Sequence, residues 1–413
     1  MKTYWQVAAR NVWRQKRRSI LNIIAISVNI FAIVAYTSFY RGWIVNSFQN
    51  ITDYQTGHVQ IHANGFLKEE RRAPLDINIE KSLDLKEKIK KLPKVTAVAR
   101  RIEFAGSVSN MMDTINVMGV AIEPEDEAKI FVRKDAIIEG SYLKANDEGI
   151  LIGDKLAKNL NVGVGDYLNL YSQTKFNTHN LVEVEIKGIF SYGFDYMDKN
   201  FVFIPLKLAD QFLDMGGDVN EMVISAGSHH KTIAAFEEIN TALSPETLKK
   251  IEVSPWTAFA QGVMEDIESD SISMVILFGI LVAMAIFGII NTMSMNVMER
   301  SREIGTLRAI GITRKGISRI FLYEAIITGI IAILIGWFFG SLLSAYLTFH
   351  GLPMPAEFFE NVNVPVDKVM YGVPGITEYI GTGILGLVAA LIGGYFPARK
   401  AAKMKVVDAL NKI

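Results

Sequence analysis

The sequence predicts an α-helical membrane protein with four transmembrane helices and a large α+β extracytoplasmic domain between helices 1 and 2. Three observations predict it. Half of the 413 residues are apolar and the mean hydropathy is +0.23. Four long stretches carry no charge, and a spanning helix needs about 20 predominantly apolar residues. More than 200 residues separate the first stretch from the second, enough for a domain with its own core. A chain this apolar is not disordered as a whole. The absence of cysteine excludes a disulfide framework, thiol chemistry and Cys-based zinc sites. Basic and acidic residues balance at 43 each, so no nucleic-acid partner is expected.

The uncharged stretches are Ser19 to Tyr40, Ser271 to Met298, Ala325 to Ala356 and Tyr379 to Ala398. The alternative is four buried helices of a soluble protein, but core helices rarely run past about 20 residues without a charge. The first stretch is also too long for a signal-peptide core, and no small-residue cleavage site follows it closely. The third should end as a helix near Phe349, before Gly351 and Pro353.

Lys and Arg bias sets the expected orientation. Residues 1–18 hold six basic residues and no acid. Residues 299–319 hold six basic residues against Glu299 and Glu303, and residues 399–413 hold five against Asp408. The segment 350–375 holds only Lys368. Both termini are therefore expected in the cytoplasm. The cytoplasmic pieces carry 17 basic and 3 acidic residues, leaving 26 and 40 elsewhere. A neutral total hides a basic inside and an acidic outside.

The expected order follows. Residues 1–18 form a cytoplasmic amphipathic helix, with Trp5, Ala8, Ala9, Val12 and Trp13 on one face at the headgroups. Residues 19–40 are the first span. Residues 41–270 are the external domain and its membrane-proximal stalk. Residues 271–298 are the second span, 299–319 a cytoplasmic helix and loop, 320–349 the third span, 350–375 a short external loop, 376–398 the fourth span and 399–413 a cytoplasmic tail.

Within the external domain, strands are expected at 57–63, 182–190, 200–206 and 221–227, where apolar and polar residues alternate. Amphipathic helices are expected from Lys81 to Lys91 and from Lys231 to Leu243. Gly149 to Leu170 reads as strand, helix, turn, strand, with Gly163 and Gly165 at the turn. The domain could form two lobes. Ser254 to Asp270 is expected to return to the membrane as one helix, with Pro255 in its first turn.

Small residues at helix-packing spacing recur in the later spans: Gly279 with Ala283, Gly336 with Gly340, and Gly393 beside Gly394. No Asp, Glu, Lys or Arg lies deep in a span, which argues against a proton relay. Glu324, at the end of span three, could pair with Arg319 or Arg308. His58 and His62 would share a strand face and His229 adjoins His230, but no third ligand completes a metal site. No spacing suggests a hydrolytic triad. Phe39, Trp43, Phe48, Met274 and Phe278 could line a cargo groove at the outer leaflet, although an interfacial aromatic belt also explains the aromatics.

Residues 299–311 read as a short basic helix under the membrane, with Leu307 and Ile310 as an apolar edge. Such a helix can dock in a groove on a soluble partner. The segment 296–340, NVMERSREIGTLRAIGITRKGISRIFLYEAIITGIIAILIGWFFG, resembles the signature of FtsX-like ABC transporter permeases. It carries Glu299-Arg300, Arg302-Glu303-Ile304-Gly305, Leu307-Arg308-Ala309-Ile310-Gly311 and Glu324. Residues 9–28 resemble the family's entry into span one, and 396–410 its C-terminal exit, with Val406 where the family usually has Pro. Residues 139–170 resemble the external domains of MacB-type and lipoprotein-releasing (LolC/LolE-type) permeases. Residues 188–206, with Gly188, Phe190, Gly193 and Asp198, look closer to the lipoprotein-releasing type.

The resemblance implies a permease subunit of an ABC transporter in the cell inner membrane, working by mechanotransmission to extract lipoproteins from the outer leaflet. MacB-type export of drugs or peptides, or FtsX-type signalling to a cell-wall hydrolase, are the other functions it allows. It implies that Glu299, Arg300, Arg302, Glu303, Gly305, Leu307, Arg308 and Gly311 form the coupling helix that seats on an ABC ATPase dimer. ATP and Mg would sit on that partner. In this chain the nearest approach to a phosphate loop, Gly311 to Ser318, has Ile317 where a lysine is required, so no cofactor of its own and no enzymatic activity are expected. Further implied partners are a second copy or a related permease, a lipoprotein cargo and a periplasmic carrier.

Overall fold

The computed structural model describes residues 2–14, 16–193, 195–354 and 369–405. Helix α1 (Lys2–Arg14) precedes α2 (Lys16–Asn50), which continues through a π-helical turn, Ile51–Thr56. It stops at Gly57, whose φ of +65° suits a residue without Cβ. Then follow β1 (Val59–Ala63), α3 (Ser82–Ile89), β2 (Ala97–Ser109), β3 (Thr114–Ile122), α4 (Pro124–Glu127), β4 (Ile137–Gly140), β5 (Gly149–Gly153), α5 (Asp154–Leu160), β6 (Tyr167–Gln173) and β7 (His179–Phe190). The chain continues through α6 (Asp195–Asn200), β8 (Phe201–Pro205), α7 (Leu206–Phe212), β9 (Glu221–Ser225), α8 (Thr232–Ala242), α9 (Pro245–Lys250) and β10 (Ile251–Pro255). It ends with α10 (Gln261–Glu299), α11 (Ser301–Ala309), α12 (Arg314–His350), the paired β11 (Leu352–Pro353) and β12 (Val369–Met370), and α13 (Ile376–Lys403).

The described residues divide into two units, one of residues 2–44, 266–353 and 369–405, the other centred on 45–265. In the helical unit, four helices are long and apolar enough to cross a membrane: those spanning Ser19–Thr56, Ser269–Glu299, Arg314–His350 and Ile376–Lys403. Helix α12 is their hub. A Cβ on Gly336 would stand 2.6 Å from the Ile30 side chain, one on Gly340 2.8 Å from Val34, one on Gly329 2.7 Å from Ala390 and one on Gly394 2.5 Å from Ala325. Small residues thus let α12 approach α2 and α13 closely, where lipid supplies no hydrophobic force between helices. Polar pairs add direction: Ser38 with Ser344 at 2.6 Å, and Trp337 Nε1 donating to Thr382 at 3.1 Å. Gly393 packs on Ile289 of α10. Gly279 differs from the expected packing role: among the described residues nothing lies within 4 Å of its would-be Cβ.

Helix α1 packs on protein as well as facing outward. Ala8 and Val12 are buried, and Trp5 meets Tyr323 of α12 edge-on at 5.5 Å. Trp13 remains 68% exposed. The expected interfacial face is therefore partly a docking face for α12.

The other unit is built on one continuous sheet. Its order is β10-β1-β9-β2-β3-β8-β5-β7-β4, and β6 pairs with both β2 and β7. Strands β2, β3, β8, β5, β7 and β6 therefore close a ring of pairings, while β9, β1 and β10 extend from β2. The β3–β8 and β5–β7 pairs are parallel and the rest antiparallel. The core includes Ile61, Ile102, Phe104, Ile152, Leu168, Val184, Ile204 and Ile224. The β2–β3 hairpin, absent from the sequence expectations, is the longest pairing, running from Arg101 opposite Ile122 to Ser109 opposite Thr114. Pro255 is also displaced from its expected place: it ends β10 opposite Val59, and the long helix starts only at Gln261. Proline lacks an N–H, so the end of an edge strand accepts it.

Asp198 closes a turn in this unit. It is buried, and accepts hydrogen bonds from Ser191 Oγ (3.2 Å) and from the backbone N–H of Tyr192 (2.9 Å) and Gly193 (3.1 Å). Burial, aided by the charge of Asp154, raises its carboxyl from 3.8 to about 6. A folded value above the unfolded one gives stability that is complete below pH 3.8 and lost as pH rises through 6. Melting of wild type and Asp198→Asn across that window should show the wild type losing more stability; parallel curves would contradict this role.

Candidate coupling site

The segment between α10 and α12 is shaped by its ends. Arg300 leaves helical geometry (φ −92°, ψ 16°) and breaks α10 from α11. Gly311, at φ +98°, turns the chain out of α11. Thr313 Oγ1 then caps α12 by accepting from Gly316 N at 3.1 Å.

One face of α11 is held. Ser301, Ile304 and Gly305 are buried, and Ile304 shares a cluster with Val297, Ile317, Phe321 and Ala401. Leu307 packs partly against the same cluster. The opposite face is open: Arg302, Thr306, Ala309, Ile310 and Gly311 are exposed, Ile310 to 73%. Arg308 is half-buried, and its Nε has no hydrogen-bond partner. The expected apolar edge of Leu307 and Ile310 is thus split, because residues three apart on this short helix straddle its boundary.

Arg300 differs most from its expected role. It is not on the open face. Its guanidinium is buried, donates to Glu324 at 2.8 and 3.2 Å and to Glu303 at 2.9 Å, and lies 5.2 Å from the Phe321 ring. Glu324 is also buried and accepts from Asn11 Nδ2 at 2.7 Å. Glu303 pairs additionally with Arg14. Glu324 therefore takes Arg300, not Arg319 or Arg308. Arg319 lies five residues back on the same helix and is exposed on another face. Arg300, Glu303 and Glu324 with Asn11 and Arg14 of α1 form one ionic cluster joining α1, α11 and α12. Glu299 is exposed beside it.

The residues expected to line a groove have these neighbours. Phe278 meets Tyr36 edge-on at 5.9 Å, and Trp43 meets Tyr40 at 5.9 Å. Phe39 and Met274 are half-buried. Phe48 belongs to the other unit, where it packs on Trp256 at 4.8 Å beside Ile51 and Ala260. Tyr36 and Tyr40, stacked at 6.2 Å, were not singled out from sequence, although their spacing of four residues puts them on one helix face. A separate apolar cleft of about 370 Å³ lies between α2 and α12, lined by Ile24, Val28, Phe31 and Phe339 among others.

Among the described residues, no group of three or more His, Asp or Glu side chains is placed to hold a metal. His58 and His62 are both buried, each with Nδ1 unpartnered. The loop 355–368 and the tail 406–413, which includes Val406, lie outside the described residues.

Comparison with known proteins agrees with this arrangement. The MacB-like periplasmic core domain matches residues 19–242, and the FtsX-like permease C-terminal domain matches residues 275–406. The lipoprotein-releasing system transmembrane protein LolC of Xylella fastidiosa (strain 9a5c) is 24% identical over 334 residues, covering 77% of this chain and 78% of that protein. LolE of Haemophilus influenzae is 23% identical over 350 residues, covering 79% and 80%. The uncharacterized ABC transporter permease YvrN of Bacillus subtilis (strain 168) is 23% identical over 437 residues, covering 98% of each. Four membrane-length helices, a short helix held between two of them, and a sheet-built unit matching the periplasmic core place this chain in the MacB/FtsX/LolCE family of ABC transporter permeases.

Proposed function

We propose that this protein is the permease subunit of an ABC transporter that works by mechanotransmission, extracting lipoproteins from the outer leaflet of the inner membrane. Both termini and α11 face the cytoplasm, and the sheet-built unit stands outside. The observation that carries the reading is the two-sided character of α11. Its outer face offers Arg302, Thr306 and Ile310 to a partner, while its inner face is fixed by Ile304 and by the Arg300–Glu324 cluster to α1 and α12. A helix clamped in this way moves with its neighbours when its outer face is pushed. The pusher is an ABC ATPase dimer that holds ATP and Mg and closes on nucleotide, a two-state element biased by ligand. One four-span subunit is half a transporter, so a second copy or a related permease completes it. Lipoprotein is the cargo favoured by the relatives named lipoprotein-releasing; a soluble periplasmic carrier would receive it.

Reversing charge at the open face tests the docking. Arg302→Glu with Arg308→Glu should reduce co-purification of the ATPase at least about tenfold, equivalent to about 1.4 kcal/mol. Arg302 is exposed and Arg308 half-buried, so Arg302→Glu alone, which the fold should tolerate, is the control and should show the same direction of loss. Wild-type recovery of the ATPase with both residues reversed would remove α11 from the interface. The cargo is tested separately, by ATP-dependent release of lipoprotein from membranes to a soluble carrier. Intact lipoprotein sorting and efflux after depletion, with peptidoglycan cleavage stopped, would assign the protein to signalling.

A further inference from the structure

In the sheet-built unit, one face of β1, β9 and β2 breaks the apolar pattern of a core. His62, Glu221 and Arg101 stand side by side, since His62 and Arg101 are both register partners of Glu221. All three are no more than 2% exposed. They form the floor of a cavity of about 190 Å³, joined by Glu103 and walled by Phe201, Phe203 and Phe259. Exposed Glu70 and Tyr196 line its mouth.

The floor is not electrically closed by its own side chains. The guanidinium groups of Arg101 and Arg133 face the carboxyls of Glu127, Glu221 and Glu103, two positive charges against three negative. Glu127 takes both arginines, with Arg101 Nε at 3.0 Å and Arg133 Nε at 2.9 Å. The Glu103 carboxyl lines the same cavity as Glu221, and two bare carboxylates in one buried site oppose each other's charge unless a proton or a cation lies between them. Among the described residues, Glu221 Oε2 accepts no hydrogen bond; its ionic partner, Arg101 Nη1, is 3.7 Å away. His62 Nδ1 is also unpartnered. Buried polar atoms in this state cost roughly 1–3 kcal/mol each unless something fills the space.

We propose that this cavity binds the ammonium group of a small primary amine, which donates to Glu221 and His62 and rests its alkyl body against the phenylalanine walls. A bare metal ion suits the space poorly, because the cavity is several times the roughly 30 Å³ share of one water and Tyr196, Phe201, Phe203 and Phe259 line it beside the carboxyls. Water would satisfy the orphan atoms but not the excess negative charge. An ammonium does both, and aromatic faces favour a cation.

Titration behaviour agrees with a cationic ligand. Burial raises the carboxyls of Glu103 and Glu221, each also raised by other carboxylates, and burial lowers His62 to about 3, leaving it neutral. The charged and titratable groups facing Glu221 are His62 on β1, Glu70 on the following turn, Arg101 and Glu103 on β2, Glu127 on α4, and Arg133 just beyond it, with Tyr192 behind. The ammonium would replace the proton shared by Glu103 and Glu221. Affinity should therefore rise about tenfold per pH unit below the pair's titration and release about one proton on binding.

The full-length protein in detergent can be titrated with ethanolamine, with glycerophosphoethanolamine and with tetramethylammonium, which has no N–H. Melting and calorimetry in buffers of different ionisation heat are the readouts. Saturable stabilisation with release of about one proton is expected for a primary amine, and none for tetramethylammonium. Response to ethanolamine alone identifies a free amine; response only to the phosphodiester identifies a lipid headgroup. Glu221→Gln should abolish the effect, and Glu103→Gln serves if that variant does not fold. No saturable response to either amine, an equal response to tetramethylammonium, or an unchanged response in these variants would overturn the assignment.

Discussion

Replacing Glu324 with alanine should be among the most damaging changes to the helical unit. It leaves the buried Arg300 without the carboxylate it contacts at 2.8 and 3.2 Å, and leaves Asn11 without its acceptor. Removing one partner of a buried ion pair costs about 3–5 kcal/mol, and the loss here should fall toward the lower end, because Arg300 keeps the half-buried Glu303 at 2.9 Å. Thermal unfolding of the purified protein should reveal it as a large fall in midpoint. Arg300→Met with Glu324→Leu should recover most of that loss, since two apolar side chains of similar volume bear no unpaired charge. Transport separates two roles for the cluster. If it only stabilises, the double variant should also recover ATP-driven release. If it sets the angle of α11, stability should return while ATP hydrolysis stays unlinked from release. Failure of Glu324→Ala to lower the melting midpoint would show that the pair is not buried as described.

The long helices were legible because lipid imposes a simple rule. An uncharged run of 20 or more residues leaves few alternatives, and small residues such as Gly336 and Gly340 mark close contacts without naming the partner. Strands with clean alternation, such as β7 and β8, were also readable. The β2–β3 hairpin was not, for a physical reason. Its first half carries Arg100, Arg101 and Glu103 among its apolar residues, which reads as a solvated segment. Arg101 is fully inside, between half-buried Arg100 and Glu103, because its partners arrive from far along the chain: Glu127 on α4 and Glu221 on β9. Arg300 misled in the same way. Its neighbours on the chain suggested a solvent-facing basic helix, whereas its partner Glu324 lies 24 residues on. Period and composition report burial against solvent or lipid; they do not report a charge buried against another charge.

The second large effect is expected at Glu127. It is completely buried and holds two guanidinium groups, Arg101 at 3.0 Å and Arg133 at 2.9 Å. Both arginines lie over the Phe131 ring, at 4.0 and 4.7 Å from its centroid, and Arg133 also lies 4.2 Å from the Phe203 centroid. Glu127→Ala would take from both guanidinium groups the carboxylate they share, leaving Arg101, among the described residues, only the Glu221 carboxylate at 3.7 Å. The loss should be at least the about 3–5 kcal/mol of a single broken buried pair. Glu127→Gln should cost less, since its amide oxygen still accepts one N–H. Part of this damage should be reversible without restoring any charge. Arg101→Met and Arg133→Met, added to Glu127→Leu, remove the stranded groups and keep apolar volume over Phe131. That triple variant should melt well above Glu127→Ala. A triple variant no more stable than Glu127→Ala would mean that the cluster's geometry, and not its unpaired charge, holds this face of the sheet together.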